Sequence, residues 1–219
     1  FQIDLPSEKR KNEEKNQSEK VILFDSGQVK NISFTEGETT IALKRLGVDE
    51  WQMTKPVNAK GDAPAVSDFL SFLNNLNFTR VVEESPKDLT SFGLDTPDLK
   101  IILSMNNGET KGVRVGDDHP MGNKVYLALL KGSQVLAAGV TKNRLDRSAH
   151  DLRDKTILDF KTPQITKIEL IRNGKTLSLK KNEESWEVSE EKITAEGNES
   201  EITNLLNTIQ KAQIEQFVE

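Results

Sequence analysis

Residues 62–76 read DAPAVSDFLSFLNNL, and residues 198–212 read NESEITNLLNTIQKA. Each stretch opens on a side chain, Asp62 or Asn198, that accepts hydrogen bonds from the free N–H groups of a helix start. In the first, Val66, Phe69, Leu70, Leu73 and Leu76 form one apolar stripe at helical spacing; Pro64 sits near its start, where a missing N–H costs nothing. In the second, Ile202, Leu205, Leu206, Ile209 and Ala212 form the same stripe. The members pair off in order at one constant offset. That offset also joins Gly61 to Gly197, Ile32 to Ile168, Ile41 to Leu177 and Phe78 to Ile214. Trp51 and Trp186 fall one residue short of it, so one residue is gained or lost beside them. A spacing kept across helix, strands and turns marks an internal repeat.

The two copies span residues 29–83 and 165–219. Each reads as a strand, a second strand, a short strand holding the tryptophan, a capped helix and a further strand. In the first copy, Val29, Ile32 and Phe34, then Ile41 and Leu43, then Trp51 and Met53 mark three strands separated by turns at Gly37 and Gly47. Pro56 ends the third by removing a donor. This is an antiparallel meander with one buried face, and the helix stripe covers that face.

Around these copies the chain is divided into three parts. Residues 1–20 contain SEKRKNEEKNQSEK, and between Pro6 and Val21 they carry no apolar side chain, which makes this part a flexible tether. Residues 21–154 hold the first copy with its extension. The stretch VILFD, residues 21–25, reads as a short strand before a turn at Ser26 and Gly27. Strands at residues 99–105, 112–116, 125–130 and 135–140 follow a shaped loop over 85–98, with Asn107-Gly108 as a hairpin turn. TKNRLDRSAHDLRDK, residues 141–155, reads as one polar helix with Leu145, Ala149 and Leu152 on a face. Residues 155–219 hold the second, shorter copy. Its last strand, carrying Ile214, Phe217 and Val218, either joins its own meander or stays an open edge that invites another chain. The fold class is therefore α+β: two repeated antiparallel meander-plus-helix units, the first extended by an antiparallel sheet.

Composition narrows the function. The chain has 219 residues, with 30 basic and 35 acidic side chains and a net charge of −5, interspersed rather than clustered. A nucleic-acid surface needs a clustered basic face, so nucleic acid is not expected as a partner. Cysteine is absent, which removes disulfides, thiolate metal sites and cysteine catalysis. No apolar run approaches the length of a membrane span. Because the chain opens at Phe1, a targeting or membrane segment is expected to precede it.

Candidate chemistry is sparse. Asp117, Asp118 and His119 stand side by side in GDDHPMGN. Three such groups offer metal ligands, but adjacent residues seldom converge on one ion, and the same residue types build tight loops. The expectation is a loop in which His119 is exposed or bonded locally. Ser148, His150 and Asp151 supply the residue types of a hydrolytic triad, yet helical residues two apart point to different faces. Asp151, Arg153 and Asp154 read as ion-pair formers. Trp51 and Trp186 could serve as sugar platforms, but their place opposite the helix stripes makes them core anchors. The glycosylation patterns at Asn31, Asn77 and Asn198 fall inside the repeated elements and read as chance matches. No catalytic, cofactor-binding or metal residue is assigned, and no cofactor is expected.

Several phrases in order carry a resemblance: VILFDSGQVKNISF, EWQMTKP, the helix capped by Asp62, LTSFGLDTP, VRVGDD with KVYL, and DLRDKTILDF. Nearly the whole chain after Lys20 resembles the bacterial domain-of-unknown-function family numbered 4340. The resemblance implies a single-pass membrane protein with a large extracytoplasmic part on the periplasmic side. It also implies association with auxiliary components of gliding-motility-type ABC transporters. The leading expectation is thus a non-enzymatic scaffold or accessory module whose partners are membrane proteins of a transport complex, with contact to the membrane only through a segment preceding Phe1. The alternatives are an envelope glycan- or peptide-binding module using a cleft between the two units, and a hydrolase.

Overall fold

The computed structural model describes residues 19–120, 122–183 and 185–218. The chain divides into two compact units, Phe1–Asp154 and Lys155–Glu219. Most of the tether read over residues 1–20 lies outside the described residues. Its last two do not behave as a tether. Phe78 N donates to Glu19 O at 2.9 Å, and the Lys20 ammonium donates to Asn74 O at 2.7 Å.

The first unit opens with β1 (Val29–Glu36), β2 (Thr39–Gly47), β3 (Glu50–Lys55) and the two-residue β4 (Ala59–Lys60), a strand too short to read from sequence. Helix α1 (Ala63–Asn74) follows, capped where Asp62 accepts from Ala65 N at 2.9 Å. Then come β5 (Phe78–Glu83), β6 (Leu99–Met105), β7 (Thr110–Asp118), β8 (Val125–Leu129) and β9 (Val135–Ala138). All nine strands form one antiparallel sheet in the order β4-β3-β2-β1-β6-β7-β8-β9-β5. The extension is joined to the meander through β1, with Phe34 opposite Ile41 on one side and Ile101 on the other.

Alternation decides which face is buried. Along β6, Leu99, Ile101, Leu103 and Met105 are buried and the residues between them are half-buried. Residues of β1–β3 and β6–β9 share one apolar cluster with Val66, Phe69, Leu70 and Leu73 of α1. Helix α1 links β4 at one edge to β5 at the other. Its stripe shares a core with strands from both halves of the sheet, including Trp51 and Met53 of β3 and Leu136 and Ala138 of β9. On the outer face, Leu94, Ala128 and Val135 make a smaller cluster with Leu89 and Phe92 of the 85–98 loop. A Cβ on Gly116 would lie 2.1 Å from Phe92 O, so only glycine lets the loop approach β7 this closely.

Two sequence expectations in this unit are corrected. Residues 21–25 are not a strand. They run irregularly, burying Val21, Ile22 and Phe24, and lead into a 3-10 turn at Ser26–Gln28. One bridge, Lys20 to Asn77, is the only ladder contact that isolated segment makes among the described residues. Nor are residues 141–155 one helix. They form α2 (Lys142–Leu145) and α3 (Ala149–Leu152), separated by extended backbone at Asp146 and Ser148. Leu145 and Leu152 both reach the core. Continuation of a single helix was broken because Ser148 caps α3, accepting from Asp151 N at 3.1 Å while Asp151 accepts from Ser148 N at 2.9 Å.

The second unit has β10 (Lys167–Arg172), β11 (Lys175–Lys181), β12 (Trp186–Glu190) and β13 (Ile193–Gly197) in sequential order, then helix α4 (Glu199–Lys211). Asn198 caps α4, accepting from Ser200 N at 3.0 Å. Its core is small: Leu179, Trp186, Ile202 and Leu206, with Phe160, Ile165, Ile168, Leu177 and Val188 packed around them. The strand read over Ile214, Phe217 and Val218 does not form, so neither the joined nor the open-edge alternative holds. Instead Gln213 bridges to Thr156, and Ile214 N donates to Lys155 O at 2.8 Å. The reason is topological. In the first unit β5 pairs with β9, at the end of the extension. The second unit has no such strand among the described residues. Overall, the protein is α+β with mostly antiparallel sheets.

Candidate functional site

Each residue singled out in the sequence has a definite place. Trp51 and Trp186 are 3% and 4% exposed, beneath α1 and α4. The glycine after each meander explains the close fit. A Cβ on Gly61 would lie 3.0 Å from Trp51 Cβ, and one on Gly197 would lie 3.0 Å from Trp186 Cβ. The Arg45 guanidinium stacks 4.5 Å from the Trp51 ring and donates to the carbonyls of Val29, Ser26 and Val48, each at 2.8 Å. It thus ties β2 to the two neighbouring turns. Burial lowers its pKa, and Asp49 partly offsets that.

His119 is buried, at 8% exposure. Its ring sits 5.2 Å from the Tyr126 ring, with Nε2 3.2 Å from Arg80 Nη2, and its backbone N donates to Lys124 O at 2.8 Å. Asp117 and Asp118 are exposed, and Asp118 accepts from Lys142 N. The three adjacent side chains therefore diverge: one inward, two outward. Among the described residues, no group of three or more His, Cys, Asp or Glu side chains is placed to hold a metal ion. Ser148 and Asp151 bond to each other, at 2.7 Å between Ser148 Oγ and Asp151 Oδ2, as a helix cap. This carboxylate uses the serine hydroxyl that a triad would leave for a base. Asp154 pairs with Lys60 at 2.7 Å.

Two concavities of the first unit carry more varied chemistry. A groove of about 400 Å³ lies where residues 20–23 cross the ends of β7 and β8, lined by Lys20, Leu23, Lys111, Leu129 and Lys131 with Glu109. Lys111 Nζ donates to Leu23 O at 2.8 Å and lies 3.8 Å from Glu109. Leu23 and Leu129 leave apolar surface exposed in the groove. The arrangement of an apolar floor with ammonium groups at its rim suits an extended chain or an anionic group. The second is a cleft of about 510 Å³ between α1 and residues 143–151. There Arg147 lies 4.8 Å from the Phe69 ring and Arg144 lies 5.5 Å from the Phe72 ring, flanked by Asp68, Asp146 and Asp151. Burial lowers the Arg147 pKa most, Asp151 raises it, Arg144 lowers it and Asp146 raises it. Sequence reading missed both concavities. Lysines on separate strands and arginines on a broken helix converge only through tertiary structure, and no spacing signals them.

Among the described residues, no helix is long and apolar enough to cross a membrane. No curated protein and no solved structure matches the chain. Residues 51–219 match the family described as Domain of unknown function (DUF4340), and the chain belongs to that family.

Proposed function

We propose that the protein is a duplicated, non-enzymatic scaffold: an extracytoplasmic accessory module that joins partners of an ABC-type membrane transport assembly, held at the membrane by a segment preceding Phe1. The duplication is supported by details beyond the helix stripes. The offset that aligns the stripes also carries the 3-10 turn Ser26–Gln28 onto Thr162–Gln164. It carries the Lys20–Asn77 bridge onto Thr156–Gln213, and the Phe78 N to Glu19 O bond onto Ile214 N to Lys155 O.

The observation that carries the scaffold reading is the exposed apolar surface of the second unit. Ile157 is 52% exposed, Leu158 51%, Ile171 74% and Ile193 73%. Ile157 and Leu158 are consecutive, and contiguous apolar surface left open to solvent is where a partner is sought. The transport assembly and the periplasmic side come from the family resemblance. The test is affinity purification of the full-length protein from detergent-solubilised membranes of its own cell, with subunits identified by mass spectrometry. Transporter subunits should co-purify in fixed proportion. Recovery of the protein alone from gently solubilised, cross-linked membranes refutes the reading.

A second reading, an envelope glycan- or peptide-binding module, is favoured by the groove rimmed by Lys20, Lys111 and Lys131. Titration with cell-wall glycan fragments or peptides should then shift the amide resonances of residues 109–112 and 129–131 before any others.

A further inference from the structure

The two units differ most at one edge. In the first, β1 has neighbours on both sides, β2 and β6. Among the described residues its counterpart β10 pairs with β11 alone and ends the four-stranded sheet. The side chains that the extension covers in the first unit are open in the second. Val21 is 3% exposed and its counterpart Ile157 52%; Ile22 is 5% and Leu158 51%; Phe34 is 2% and Leu170 38%. An edge strand with unpaired N–H and C=O groups is a template for pairing, and protected edges carry short strands, charges, bulges or prolines. β10 does carry charges, but Lys167 and Glu169 are of opposite sign and pair with each other at 2.7 Å, so they select among partner strands rather than repel all of them. β10 is six residues long, has an unbroken register with β11 and contains no proline.

We propose that β10 is a strand-acceptor site. Its occupant is an extended segment of a partner protein, laid antiparallel along β10 as β6 lies along β1. This deepens the scaffold reading and rests on it, since it names the surface by which a partner is held. The first unit supplies the register. Ile32 faces Leu103, Phe34 faces Ile101, Ser33 faces Ile102 and Asn31 faces Ser104. Carried to β10, the partner places apolar side chains opposite Ile168 and Leu170, on the face that α4 covers. On the other face it meets charges where β1 has neutral residues: Glu169 stands at the place of Ser33 and Lys167 at the place of Asn31. Complementarity then requires a basic residue opposite Glu169 and an acidic one opposite Lys167, because like charges directly opposed destabilise a sheet. Backbone pairing supplies affinity and alternate side chains supply selectivity, as in strand addition generally.

The test uses two fluorescent peptides built on residues 99–105, the strand that fills this place in the first unit. One carries Ile102→Arg with Ser104→Asp; the other carries Ile102→Asp with Ser104→Arg. Both are titrated by anisotropy into the whole protein and into a charge-swapped variant, Lys167→Glu with Glu169→Lys. The swap keeps the 2.7 Å ion pair between these two exposed side chains, reversed in sense, so folding is preserved. The expected result is saturable binding, a preference of about tenfold for the first peptide from two cross-strand charge pairs, and reversal of that preference in the variant. Amide exchange of β10 should slow on binding. Absence of saturation for both peptides, or a preference unmoved by the swap, overturns the proposal. So does a concentration-dependent dimer that protects β10 and is not displaced by peptide, which would make a second copy the occupant. If the peptides fail while transporter subunits still co-purify, the edge is wrong and the scaffold reading survives. If peptides bind and no subunit co-purifies, the edge stands and the transport role falls.

Discussion

Replacing Trp186 by alanine removes the largest side chain of a core in which, among the described residues, only Leu179, Ile202 and Leu206 are otherwise buried. Buried tryptophan truncation costs about 3–5 kcal/mol. At roughly 0.05–0.15 kcal/mol per residue, a unit the size of Lys155–Glu219 has about 3–10 kcal/mol in all. The substitution therefore consumes a large share of that unit's stability. Since 1 kcal/mol moves the Tm of so small a unit by about 4–8 °C, its transition should fall by roughly 12 °C or more. Scanning calorimetry on Trp186→Ala should show this as an early transition split from the main one. The protein has two tryptophans, one in each unit, so Trp51 remains as a fluorescence reporter of the first unit alone. Its emission should follow the later transition. If calorimetry finds every transition of Trp186→Ala within 2 °C of the parent, roughly the reach of a surface change, then Trp186 does not anchor the second core and the packing argument fails.

Other expectations follow from single contacts. Gly197→Ala sets a methyl 2.9 Å from Ile202 Cδ1 and 3.0 Å from Trp186 Cβ, and overpacking of this kind should cost about 1–3 kcal/mol in chemical denaturation; Gly139→Ala, where the methyl meets only Thr79 Cγ2 at an ordinary 3.6 Å, checks the effect of a side chain alone. Ser148→Ala should cost about 1 kcal/mol through loss of the α3 cap, and Ser148→Thr, which keeps the hydroxyl that donates to Asp151, should restore most of it. The Asp88 pKa is lowered by the Thr90 side-chain hydrogen bond first and its backbone bond second. A depressed carboxylate contributes order above its unfolded pKa and loses it as pH falls through the folded value, so in an NMR titration Asp88 should have its midpoint below the ordinary aspartate range, and Thr90→Val should raise it.

The helices α1 and α4 were legible because both signals are local. A capping side chain and an apolar stripe at spacings of three and four residues fix a helix whatever it packs on. The tryptophan strands were legible through alternation. What failed was whatever depended on a partner distant in sequence. Residues 21–25 have the composition of a strand, but they cross the end of β7 and β8 with Lys111 bonded to the Leu23 carbonyl, and no ladder is available there. The polar stretch after Thr141 has helical spacing, but Ser148 and Asp151 prefer to bond each other and restart the helix. His119 reads as a loop residue, yet the ring lies against Tyr126 and Arg80 from other strands. The groove lysines and the Arg144–Arg147 cleft are assembled in the same way, from elements that meet only in the folded sheet.

The path of the chain after each helix shows how one local pattern yields two outcomes. Phe78, Val81 and Val82 continue as β5 because β9 waits at the far edge of the sheet, where Phe78 faces Ala138 and Val81 faces Leu136. Ile214, Phe217 and Val218 have comparable strand propensity, but β-propensity measures fit to a half-buried surface with a partner beside it. Without an extension, the residues after Ala212 return only as far as Lys155 and Thr156. The extension therefore has two roles in the first unit: it pairs with β1 at one end and with β5 at the other. Among the described residues the second unit shows both contrasts at once: no strand forms after α4, and β10 has β11 as its one neighbour. A segment added along β10 would cover Leu170 and supply the first of the two missing contacts, which is why the acceptor edge, rather than the tail, is the place to look for a partner.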